Sequence, residues 1–194
     1  MARPRDFDPD EALVAALQVF WRQGYEGTSI ADLVEATGAS RYSLYDVFGD
    51  KEQLFHRCLE HYGDSAHEGF LAPMRSPDGG LRAVRRYFEQ LERQVVGDPE
   101  RRGCFNVSST VELGREPATA QWIERNNQIV RDAIRAALTT AVAQGELRAS
   151  ADVEALTSYL AISAQGLLLQ ARSGAPPEQV HQFVEVVLAS LPTP

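Results

Sequence analysis

Cysteine is scarce in this chain: Cys58 and Cys104 are the only two in 194 residues. Two thiols so far apart form neither a disulfide framework nor a metal-ligand pattern. A reducing cytoplasm suits such a composition. Basic residues are short as well, 19 Lys and Arg against 27 Asp and Glu, for a net charge of -8 and a pI near 5.0. Taken whole, that balance argues against a general nucleic-acid binder and against anionic membrane surfaces. Long apolar runs are missing. The most apolar late stretch, 156–171, is interrupted by Thr157, Ser158, Ser163, Gln165 and Gln170 and is too polar and short to span a bilayer. The opening MARPRDFD has no apolar core of the secretory-signal kind. No strand pattern, internal repeat or Gly-rich phosphate loop is found. Neither is a nucleophile–base pair or a carboxylate–histidine metal repeat, which speaks against an enzyme.

Helix punctuation is plentiful. Asp8-Pro9-Asp10-Glu11 combines a capping residue, a proline suited to a first turn and a capping-box glutamate. Leu13, Ala16, Leu17, Phe20 and Trp21 follow at helical spacing, and Gly24 supplies a stop. Thr28 or Ser29 opens a second helix with Ile30, Leu33 and Val34 inward, ended by Gly38. Ser40 caps a third with Leu44, Val47 and Phe48 inward, broken by Gly49-Asp50. A fourth begins at Lys51-Glu52 and carries Leu54, Phe55, Cys58, Leu59 and Tyr62. Beyond the loop at 77–80, helices are predicted over 81–96, 104–113, 117–145, 152–172 and 180–191. The fold class is therefore all-α. Its last two helices are unusually rich in Ala, Leu and Val, and a dimer face is one use for such surface.

Helix 29–37, the turn Gly38-Ala39 and helix 41–48 have the spacing of a helix-turn-helix. The first helix braces the second, whose N-terminal residues then face base edges in the major groove. Those residues are Ser40, Arg41, Tyr42 and Ser43. Arg41 can fork onto a guanine edge, and the serines can donate or accept. Tyr45 and Lys51 sit where they can hold flanking phosphates. Thr28 and Ser29 at the head of the bracing helix complete the expected contacts, with Arg3 and Arg5 as an arm reaching a neighbouring groove. Through Tyr62 the chain carries six basic and eleven acidic residues, a net of -5. Few phosphate contacts and a modest salt dependence are therefore expected.

The run GYEGTSIADLVEATGASRYSLYDVFGDKEQLF resembles the N-terminal domain of the TetR family of bacterial transcriptional repressors. The likeness is carried by Gly24-Tyr25, Thr28-Ser29, Gly38, Leu44-Tyr45-Asp46-Val47-Phe48 and Lys51, within roughly the first 60 residues. It implies an all-α homodimer that binds a palindromic operator in double-stranded DNA and releases it on binding a small-molecule effector. Residues 1–50 would be the helix-turn-helix domain. Residues 51–194 would bind effector and dimerise through the last two helices, with the Lys51 helix as the lever. Many relatives have an aromatic and a histidine where this chain has Asp46 and Val47, so neither position is assigned a DNA contact.

In the C-terminal part, Tyr87, Phe88, Cys104, Phe105, Trp122, Ile123, Tyr159 and Ile162 are expected pocket-lining residues. Core packing is the alternative for each. Cys104 follows Arg101-Arg102 near a helix start, and both features favour the thiolate. It is read either as a sensor of oxidants or electrophiles or as a small buried hydrophobe. His56, His61 and His67 do not recur at helical spacing, so no metal site is expected, nor any cofactor. The rival functions are a helical protein-interaction module that has lost DNA reading and, more remotely, a helical-bundle enzyme.

Overall fold

The computed structural model describes residues 7–194, so the arm residues Arg3 and Arg5 lie outside the described part. Among the described residues the chain forms nine α-helices and no strand. Helix α1 (Pro9–Gly27) starts where Asp8 accepts hydrogen bonds from the amides of Asp10 and Glu11, at 2.8 and 3.3 Å. Ser29 caps α2 (Ile30–Thr37) in a full capping box with Asp32, and Gly38 closes it in the left-handed region at φ 67°. Ser40 caps α3 (Arg41–Phe48) by accepting from the Ser43 amide. Asp50 accepts from the Gln53 amide at 2.8 Å at the head of α4 (Lys51–Ala66). A π-helical turn (His67–Leu71) and a 3-10 turn (Ala72–Arg75) lead to α5 (Gly80–Gly97). The remaining helices are α6 (Phe105–Leu113), α7 (Pro117–Ala143), α8 (Val153–Ser173) and α9 (Pro177–Ala189).

Two boundaries differ from expectation for physical reasons. Gly24 does break α1, with φ 78° and ψ 174°, yet one more helical turn follows it to Gly27. That turn is held from a distance. The Glu112 carboxylate at the end of α6 accepts hydrogen bonds from the amides of Tyr25 and Glu26, at 2.9 and 2.7 Å. Two donors at a helix start that would otherwise lack partners are thereby satisfied by a side chain 86 residues away. Helix α9 begins at Pro177 rather than 180, because proline is as good an opener as any residue at a first helical position.

Two apolar cores form. One gathers Phe20, Leu33, Leu44, Phe55 and Leu59 from α1 to α4, and takes in Phe105 from α6. The other unites α5 and α7 to α9 around Phe88, Ile134, Leu138 and Leu160. The division expected after residue 50 thus falls inside the first core, since Leu54 to Leu59 pack with the helix-turn-helix. An aromatic seam runs along the join. Phe105 meets Phe55 and Tyr62 edge-on at 5.4 and 5.7 Å between ring centres, and Trp21 meets Tyr62 at 5.0 Å. Each such pair contributes about 0.5–1.5 kcal/mol beyond simple burial.

Candidate nucleic-acid interface and its adjoining cavity

Leu44 and Phe48 anchor α3 in the first core and leave its N-terminal face outward. Arg41 is exposed, and Tyr42 at 80 % exposure is the most exposed of the large apolar side chains. Ser40 and Ser43 share a 2.9 Å hydroxyl contact beside them. The Arg41 guanidinium lies 5.4 Å from the Tyr45 ring centre, so the two present one surface. Lys51 stands 4.3 Å over the Tyr25 ring, which offsets the cost of a cation at a helix N-terminus. Arg41 is thus joined to Tyr45 and Ser40 to Ser43 on α3, while Lys51 packs on Tyr25 of α1.

Thr28 and Ser29 are not free for that role. Thr28 is 2 % exposed, and its hydroxyl donates to the Gly24 carbonyl at 2.6 Å. It fixes the bend after α1 rather than reaching a phosphate. Ser29 is exposed, but its amide and hydroxyl both donate to the Asp32 carboxylate, at 2.8 and 2.7 Å. The same bonds hold the Asp32 carboxyl below its usual range.

Between the two cores lies a cavity of about 490 Å³. One wall is made by Val14, Leu17, Gln18 and Trp21 of α1 with His61, Tyr62 and Ser65 of α4. The other comes from α5 to α8, through residues such as Tyr87, Leu91, Val107, Val130 and Leu168. Of the residues expected to line a pocket, Tyr87 and Cys104 do so. The others are placed elsewhere. Phe88 and Ile123 are buried in packed core, and Phe105 fills the aromatic seam. Trp122 borders a separate hollow of about 250 Å³ with Gly63 and Asn126. Tyr159 and Ile162 face outward from α8, Ile162 at 68 % exposure. The amide side chains Gln18, Gln94, Asn106, Asn126, Asn127 and Gln165 also line it, beyond the residues expected from the sequence. Amides that interrupt apolar helix faces were the signal for them.

The chemistry at Cys104 differs from the expectation of an activated thiolate. Arg102 donates to Gln18 Oε1 at 2.7 Å and to Asp98 Oδ2 at 3.3 Å, with its guanidinium 4.6 Å from the Trp21 ring centre. Arg101 turns towards Gly174. Neither cation is left to polarise the sulfur. Cys104 is half-buried at the cavity wall. Burial raises its pKa, against a 3.4 Å hydrogen bond from the Tyr62 hydroxyl and the α6 amides, which favour the thiolate. Cys58 is buried and its thiol is pushed up for the same reason. His56 engages the Thr119 hydroxyl at 3.0 Å.

A helix-turn-helix with an uncommitted Arg-Tyr face, joined through a cavity to a helical bundle, defines a DNA-binding regulator. The family model for bacterial regulatory proteins, tetR family, matches residues 12–58, and that for the tetracyclin repressor-like, C-terminal domain matches residues 80–187. The chain is 32 % identical to the uncharacterised HTH-type transcriptional regulator YezE of Bacillus subtilis, over 98 % of this chain and all of that one. It is 33 % identical to the HTH-type transcriptional repressor ComR of Escherichia coli, over 98 % of this chain and 91 % of that one. A cysteine mutant of the TetR family regulator CifR, complexed with 26-base-pair double-strand operator DNA, superposes with a TM-score of 0.86. That chain is 32 % identical, with 98 % of this chain and 100 % of that one covered. This chain belongs to the TetR family of bacterial transcriptional regulators, which are not enzymes.

Proposed function

We propose that this protein is a homodimeric cytoplasmic repressor. It reads a palindromic operator with Ser40, Arg41, Tyr42 and Ser43, steadied on flanking phosphates by Tyr45 and Lys51 and by the Arg3–Arg5 arm. A small molecule in the cavity then releases it from DNA. The observation that carries this reading is that α1 and α4 of the helix-turn-helix unit form one wall of the cavity. A ligand that swells or tightens that wall reaches the reading helix α3 through α4, on which α3 packs. Its effect on DNA affinity equals its differential affinity for the two arrangements. Dimerisation through α8 and α9 is supported by the outward apolar residues Tyr159, Ile162, Leu169, Phe183 and Val186. The relatives named as repressors and the neighbour bound to operator DNA point the same way.

Selection of duplexes from a random library by the purified protein tests this. Enrichment of a palindrome with half-sites about 34 Å apart, or a multiple of it, is the expected result. If nothing is enriched even after refolding to strip bound ligand, the DNA reading fails and the protein-interaction alternative replaces it.

A further inference from the structure

The cavity wall is specific about charge. Among the described residues no aspartate or glutamate lines it. Among the described lining residues Arg131 is the one permanent charge, and its guanidinium already engages Glu124 and, at 3.1 Å, Gln128 Oε1. His61, the remaining basic side chain among the described lining residues, is exposed at the edge. A cationic ligand finds no counter-charge among these described residues, and an anionic one must take Arg131 from its present partners. Either is costly to desolvate against Leu17, Leu91, Val130, Ala164 and Leu168.

The wall is also specific about hydrogen bonds, because most of its polar groups are spent internally. Gln165 Nε2 donates to Asn127 Oδ1 at 3.2 Å. Gln18 Oε1 accepts from Arg102, and the Tyr62 hydroxyl donates to Cys104. Two buried atoms on cavity residues have no partner: the indole Nε1 of Trp21, a donor, and Oδ1 of Asn106, an acceptor. Asn106 follows Phe105, whose ring centre lies 6.5 Å from that of Trp21. Native proteins rarely leave such atoms unsatisfied, since a buried polar atom without a partner keeps its full desolvation cost. Both are covered by packed side chains, so contact needs the Asn106 amide and the Trp21 indole to turn towards the cavity.

We propose that the cavity takes an uncharged, largely apolar molecule bearing a hydroxyl group, recognised by Trp21 as donor and Asn106 as acceptor. The inference rests on the cavity being the effector site. A hydroxyl is the smallest group that answers both orphans, since it donates and accepts at one atom. A carbonyl answers Trp21 alone, and a hydrocarbon answers neither.

Calorimetric titration of the full chain with four probes of one skeleton tests it: phenylpropanol, propylbenzene, phenylpropanoate and phenylpropylamine. The alcohol is expected to bind roughly tenfold more tightly than the hydrocarbon, with both ionised probes weaker still. Asn106→Leu and Trp21→Phe should each erase the alcohol's lead while keeping propylbenzene affinity within about twofold, a pattern general unfolding does not produce. Equal binding of alcohol and hydrocarbon, or tightest binding of an ionised probe, overturns the hydroxyl inference and leaves the effector site standing. Absence of binding by all four overturns both. An alcohol that binds as expected without weakening operator binding upholds the cavity chemistry and overturns the effector reading instead.

Discussion

Arg41 and Tyr42 contribute little to the fold and much to the outward face of α3. Arg41→Ala is expected to weaken operator binding by about 1–3 kcal/mol, the range for a bidentate base contact, with no change in melting temperature. Anisotropy titration and a thermal melt check both halves. Cys104 behaves in the opposite sense, as a side chain defined by its enclosure. Because burial raises its pKa, its alkylation by iodoacetamide should be slower than that of a free thiol. It should accelerate only at a pH above the free thiol's range. Tyr62→Phe removes a hydrogen bond that favours the thiolate, so the rate should fall further. Faster reaction than a free thiol would restore the sensor reading. Caps such as Ser29, Ser40 and Asp152 were legible in the sequence because a cap bonds within three residues. The surroundings of Cys104 were not. The adjacent arginines suggest activation, but their directions are set by Gln18, Asp98, Trp21 and Gly174.

At the scale of elements, helix existence followed from periodicity and punctuation, and the exceptions arise where a distant group intervenes. The turn after Gly24 depends on Glu112. Glu112→Ala is expected to lower stability by about 1 kcal/mol, in line with loss of a helix cap, and denaturant unfolding measures it. Gly24→Ala should cost more. It forces a positive φ on a residue with a side chain, and its Cβ would come within 2.7 Å of Glu112 Oε2. The pocket was legible as a property of the C-terminal helices but not in its membership. Helical spacing marks a residue as inward-facing without saying whether packed core or open cavity lies there. Phe88 and Tyr87 are neighbours in sequence, and only Tyr87 borders the cavity. No local pattern announces that α1 contributes a wall.

For the whole molecule, association and charge are the measurable properties. Ile162→Glu with Val186→Glu, both at exposed apolar positions on α8 and α9, should yield a monomer by analytical ultracentrifugation and abolish operator binding. The acidic character of the first 62 residues leaves few cations to displace counterions. Arg3, Arg5, Arg41 and Lys51 from two protomers set a ceiling, so the slope of log affinity against log salt should be no steeper than about -7. Titrations across a range of potassium chloride concentrations check this.

The position of the cavity in the seam has a further consequence. Because Trp21 and Tyr62 belong at once to the aromatic join and to the cavity wall, a ligand bound there would act on side chains that link the two cores. Thermodynamic reciprocity then requires that operator DNA weaken ligand binding by the same factor by which the ligand weakens operator binding. In a cell the concentration needed for induction therefore depends on how many operators the protein occupies. A promoter bound more tightly is switched at a higher ligand concentration, though every copy of the protein is the same.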